Sequence, residues 1–90
     1  MDENKNPRKI LCEAGYEEAV VLCQDFDTAI IGITEDGRVV YDHEKMVKKM
    51  MDQYGIERKD AINYIDHTTV IAVPFIENGP IIIHMIEDLI

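Results

Sequence analysis

The chain predicts an α+β domain: a small, mainly antiparallel sheet in the order β-β-β-α-α-β, with two helices packed on one face. Three observations carry this. Asp27 to Tyr54 reads as a strand, a tight Asp-Gly turn, a returning strand and a capped amphipathic helix. A second helical stretch opens near Arg58. A strand-like run, Ile81–Met85, opening on three β-branched isoleucines, follows Pro80. Ninety residues are one domain's length and bury roughly two-thirds of the surface of the unfolded chain.

Met1 to Lys9 is polar and charged and reads as a mobile arm, with the domain proper at 10–90. Ile10 to Tyr16 is ambiguous, since Gly15 would break a short helix. Ala19–Cys23 (AVVLC) is a continuous apolar run of strand length, and its β-branched residues favour an extended backbone. Gln24–Asp27 supplies turn chemistry through its aspartates. Thr28–Thr34 reads as the second strand, with Gly32 marking a bulge or a close backbone approach. Glu35-Asp36-Gly37 closes a hairpin onto Arg38–Tyr41.

Asp42 follows as a helix N-cap: its carboxylate can accept a first-turn N–H and favours the positive end of the helix dipole. Met46, Val47, Met50, Met51 and Tyr54 recur at helical spacing, while Lys45, Lys48, Lys49 and Asp52 take the other face. Gly55 ends this helix as a left-handed cap. The next helix starts behind Glu57, a poor cap, with Ile56 stapled against Ala61. Its stripe of Ala61, Ile62, Ile65, Thr69 and Ala72 runs to about Ala72, before Pro74. The competing reading pairs Thr69–Ile76 with Pro80–Met85 through Asn78-Gly79. Ile81–Met85 is the final strand and is expected to pair with a strand of the first hairpin.

Across this stretch, Asp27-Thr28-Ala29-Ile30-Ile31-Gly32, Asp36-Gly37-Arg38, Val40-Tyr41-Asp42, Lys45-Met46, Gly55, Ala61, Asn63 to Ile65 and Pro74 form a pattern. It resembles a set of small proteins of unknown function encoded in Gram-positive bacteria and their phages. In those, a segment of the form DTAIIGVT-DGRxVYDxxKM precedes two helices and a short strand. The likeness covers about two-thirds of the chain. Glu57 departs from it, standing where Ser or Thr would cap the second helix. The resemblance implies a mobile-element setting and no assigned activity.

Chemistry is harder to find. Eighteen acidic against nine basic residues give a net charge of −9, which opposes nucleic acid and anionic membrane. No apolar run reaches the length of a membrane span. With no leader recognised, Cys12 and Cys23 are expected to be free thiols in the cytoplasm. Their spacing is no metal-ligand pattern, and no cofactor is expected. Asp25-Phe26-Asp27-Thr28 echoes the aspartyl-phosphate phosphatase motif, but Thr28 comes one place early and the chain is too short for the rest of that fold. His43, His67 and His84 share no i, i+4 relation, and the chain has no serine. Lys45, Lys48 and Lys49, without interleaved aromatics, read as a solvated face.

Elimination leaves a non-catalytic protein-interaction module with an unknown protein partner. Two alternatives stand beside it. One is an acidic mimic, like an anti-CRISPR protein, that inhibits a nucleic-acid-binding host protein. Its expected edge is Asp25, Asp27, Glu35, Asp36, Asp42 and Glu44. The other is a small enzyme, which requires histidines, cysteines and aspartates to converge in a concave site. The open edges of so small a sheet also raise the expectation of a homodimer.

Overall fold

The computed structural model describes residues 6–90; the first five residues of the expected arm lie outside the described residues. The α+β class holds, with a three-stranded sheet and helices around it. The chain opens with helix α1 (Pro7–Glu13), so Pro7–Lys9 form a first helical turn and not part of an arm. Asn6 caps it by accepting the Arg8 N–H, and Pro7 occupies the first turn, where a missing N–H costs nothing. The Arg8 guanidinium ties α1 down. Its Nε donates to both Asp27 carboxylate oxygens at 2.8 and 2.7 Å, and its Nη2 donates to the Leu22 carbonyl at 2.9 Å.

Ala19–Cys23 is not a strand. Val20–Cys23 are irregular, and other side chains take Leu22's backbone groups. The Leu22 N–H donates to the Tyr41 hydroxyl at 2.8 Å, and its carbonyl accepts from Arg8. Such partners satisfy the backbone as a neighbouring strand would. A 3₁₀ segment, Gln24–Ala29, then takes up Thr28 and Ala29, so strand β1 is only Ile30–Ile33.

Strand β2 (Val39–Asp42) returns antiparallel to β1 through the expected turn. The Thr34 N–H donates to the Arg38 carbonyl at 2.9 Å, and Gly37 has φ 85°. The register slips between Ile30 and Gly32, which places the bulge at Ile31. Helix α2 (His43–Tyr54) starts where Asp42 Oδ1 accepts the Glu44 N–H at 2.9 Å, and stops at Gly55 with φ 62°. Helix α3 (Arg58–Ile65) has no side-chain cap from Glu57. It continues as a π-helical turn, Asp66–Val70, and a 3₁₀ turn, Val73–Phe75, so the helical reading of 58–72 prevails over the alternative hairpin.

Strand β3 (Ile81–Ile83) does pair with the first hairpin, on β2, but in parallel. Sheet order is β1-β2-β3, which leaves β1 and β3 as edges. Parallel pairing follows from the connection: α2 and α3 carry the chain back before it re-enters the sheet.

One core joins these parts. Val39 and Tyr41, two apart and so on one face of β2, are fully buried. They share a cluster with Met46, Val47 and Met50 of α2, Ala61 and Ile65 of α3, Phe26, Ala29 and Leu11. Of the expected stripe of α2, Met46, Val47 and Met50 are buried, Met51 is half-buried and Tyr54, at its end, is exposed.

Candidate functional site

The acids expected to share an edge are divided by the structure. Asp27 is bound by Arg8, Asp42 is buried as the α2 cap, and Glu44 pairs with Arg58. Asp25 receives the Tyr54 hydroxyl at 3.3 Å, and Asp36 receives the Thr34 hydroxyl. Glu35 is exposed at the hairpin turn beside Asp36. Asp27, Asp42 and Glu44 thus hold the fold together and are not free for a partner. Asp42 serves the helix start beside it, while Asp27 and Glu44 are claimed by cations from other parts of the chain, Arg8 and Arg58.

A different set of acids meets. Glu17 and Glu18, after α1, face Asp36 of the hairpin turn and Glu77 of the α3–β3 connection across a cleft of about 550 Å³. Among the described residues its walls carry four acidic residues and no basic one. Only Asp36 belongs to the expected edge. The Glu17–Glu18 pair is distant in sequence from Asp36 and Glu77, and their meeting depends on how α1 and residues 71–80 fold back, which periodicity does not encode.

Beside this cleft lies an apolar groove of about 350 Å³ between α1 and β1. Ile10, Leu11 and Ala14 form one wall and Ile31 and Ile33 the other, with Tyr16 at the junction. Tyr16 also lines the acidic cleft. Ile10 and Ile31 are exposed. Gly32 stands in the β1 wall with open space where a side chain would be. The Ile30 N–H donates to the Asp27 carbonyl at the end of the 3₁₀ segment, and among the described residues no other backbone hydrogen bond joins β1 to a segment outside the sheet.

The histidines divide. His67 is exposed on the π-helical turn, its Nδ1 donating to the Asn63 carbonyl at 2.8 Å. His43 is buried at the start of α2. Its Nε2 donates to Asp66 Oδ1 at 2.9 Å, and its ring lies 4.3 Å from that of the exposed His84. A carboxylate only accepts, which assigns the proton to Nε2. Arg58, Glu44, Asp66 and Asp88 line the same cleft of about 250 Å³. Arg58, by its hydrogen bond, holds the Glu44 carboxyl below its ordinary range. The convergence of His43, His84 and two aspartates was not visible in spacing, because Asp66 follows α3 and His84 follows β3.

Cys12 and Cys23 are free thiols, both exposed. Among the described residues, no group of three His, Cys, Asp or Glu is placed to hold a metal ion. Likewise no helix is long and apolar enough to cross a membrane. Comparison of the chain with protein-family models, curated proteins and solved structures found no match.

Proposed function

We propose that this protein is a non-catalytic interaction module that binds another protein through the α1–β1 groove and the adjoining acidic cleft. The observation that carries the reading is the juxtaposition of an unpaired strand edge, an apolar groove and a wall of carboxylates, with Tyr16 shared by groove and cleft. Small soluble domains seldom leave apolar concavities beside open strand edges without a partner for them. The division of the expected acidic edge favours this cleft over a phosphate-mimicking edge as the recognition surface. The resemblance to proteins of bacteria and phages points to a partner in the bacterial cytoplasm, where Cys12 and Cys23 stay reduced.

The test is a photo-crosslinking amino acid placed at Ile31, at Glu17, and at Lys48 on the exposed face of α2, in cells of the encoding organism. Discrete crosslinks to a protein from Ile31 and Glu17, and none from Lys48, are expected. Equal labelling from all three positions, or none from Ile31 and Glu17, refutes the reading.

A second reading, a small acid–base enzyme, draws support from the His43–Asp66 bond with His84 across the cleft. It requires a turnover that disappears in His84→Ala while the crosslink from Ile31 persists.

A further inference from the structure

We infer that the partner segment is an extended peptide that adds a strand to the free edge of β1, sets alternate apolar side chains into the α1–β1 groove, and carries its basic residues into the acidic cleft. This rests on the interaction reading above and specifies its mode and its ligand.

The backbone argues for an extended occupant. β1 is an edge strand, and all four of its residues line the groove that separates it from α1. A strand laid there would have main-chain partners along one side and an apolar trough beneath it, the arrangement used in peptide recognition by strand addition. Side chains alternate along a strand, so every second residue of the peptide meets Ile10, Leu11, Ala14 and Ile31. Four residues of β1 span roughly 13 Å, so the paired register is about four residues long. Gly32 supports this directly. A Cβ built there meets nothing within 4 Å, so the glycine relieves no clash within the fold. Its φ is not left-handed either, so the backbone does not demand glycine. What it leaves is bare backbone in the β1 edge, where a second backbone can approach closely.

Charge selects the chemistry of the flank. Edge strands that avoid pairing usually carry lysine or proline, and Ile30-Ile31-Gly32-Ile33 carries neither. The groove continues past Tyr16 into Glu17, Glu18, Asp36 and Glu77. A peptide leaving the groove at that end meets four carboxylates, so lysine or arginine belongs there. The same charges disfavour a second copy of this chain. A two-fold pair through β1 would bring the same acids to the same edge in a molecule of net charge −9.

The experiment selects displayed random peptides of about ten residues on the full chain and, in parallel, on Gly32→Leu. That substitution puts a branched side chain on the bare backbone a pairing strand would approach, and a Cβ there meets nothing within 4 Å, so the melting temperature, measured alongside, should match the parent. Expected are sequences with alternating apolar residues and a basic end. The best peptide should bind Gly32→Leu and the double variant Glu17→Lys/Glu18→Lys on the order of tenfold more weakly. Methylating its alternate backbone nitrogens should weaken it similarly, and its binding should slow amide exchange along β1. The inference is overturned if no sequences are enriched, or if they repeat apolar residues at three and four. It also fails if acidic peptides win, if Gly32→Leu or backbone methylation is without effect, or if sizing shows a homodimer that protects β1. Such a failure, with the Ile31 crosslink still present in cells, removes the strand-addition mode alone; loss of that crosslink removes the interaction reading beneath it.

Discussion

Tyr41→Phe removes one oxygen from the centre of the molecule and nothing else. The ring is fully buried and would stay in place, so no cavity opens. What is lost is the acceptor for the Leu22 N–H at 2.8 Å, on a half-buried stretch of backbone with no strand beside it. A hydrogen bond of this kind contributes about 1 kcal/mol, and an N–H left without water or partner raises the cost to about 1–3 kcal/mol. Leu22 is only partly buried, so water reaches it in part and about 1–2 kcal/mol is expected. At ~4–8 °C per kcal/mol for a domain of this size, melting should fall by roughly 5–15 °C. Paired urea and thermal unfolding followed by circular dichroism measure it, and amide exchange at Leu22 should quicken.

The same hydroxyl supplies a pH signature. Burial raises the Tyr41 pKa above its ordinary value of 10.0, and its hydrogen bond to Leu22 only partly offsets this. The folded state therefore keeps a proton that the unfolded state releases. The contribution is fully present below pH 10 and is lost as pH rises through the folded value, with a slope of at most ~1.4 kcal/mol per pH unit. The phenylalanine variant lacks this slope, and Tyr54, raised mainly by Asp25, is present in both proteins and cancels from the difference. A variant as stable as the parent at neutral pH, with the same alkaline decline, would refute both the anchoring of residues 20–23 and the burial argument.

Ile65→Ala empties a fully buried site between α3 and the core and should cost about 2–5 kcal/mol in urea unfolding. Gly79→Ala places a Cβ 2.9 Å from that of Ile76 and 3.0 Å from its carbonyl oxygen, so the backbone must shift. A loss of about 1–3 kcal/mol is expected, together with a weakened bond from Arg38 Nε to the Gly79 carbonyl, now 2.7 Å. Asp42→Ala removes the α2 cap and should cost about 1 kcal/mol, with faster exchange at the Glu44 amide. Arg58 depresses the Glu44 pKa from 4.5, so this contribution is present above that value and is lost as pH falls through the lower folded one. Arg58→Ala should accordingly flatten the acid limb of the stability profile measured by urea midpoint.

What could be read from the sequence, and what could not, divides along the range of the interaction. The Asp-Gly hairpin, the Asp42 cap, the Gly55 terminator and the α2 stripe are decided by residues within one turn of each other, and all four are present. Gly32 marked its bulge for the same reason. Ala19–Cys23 shows the opposite case. Its apolar, β-branched composition is that of a strand, but a strand needs a neighbour, and the groups that satisfy Leu22 come from Arg8 and Tyr41. Composition reports how a segment prefers to extend and is silent about who bonds it. The acids follow the same logic. Those of the expected edge lie near one another in sequence, and that nearness puts Asp42 and Glu44 at a helix start, where capping and pairing use them. Carboxylates left for a partner are those that no local partner claims. Among them are Glu17, Glu18 and Glu77, brought together with Asp36 only after α1 and the α3–β3 connection fold onto the hairpin turn. On the interaction reading proposed above, the surface offered to a partner is assembled from what the fold does not need, and the apolar groove beside β1, with Gly32 in its wall, belongs to that remainder.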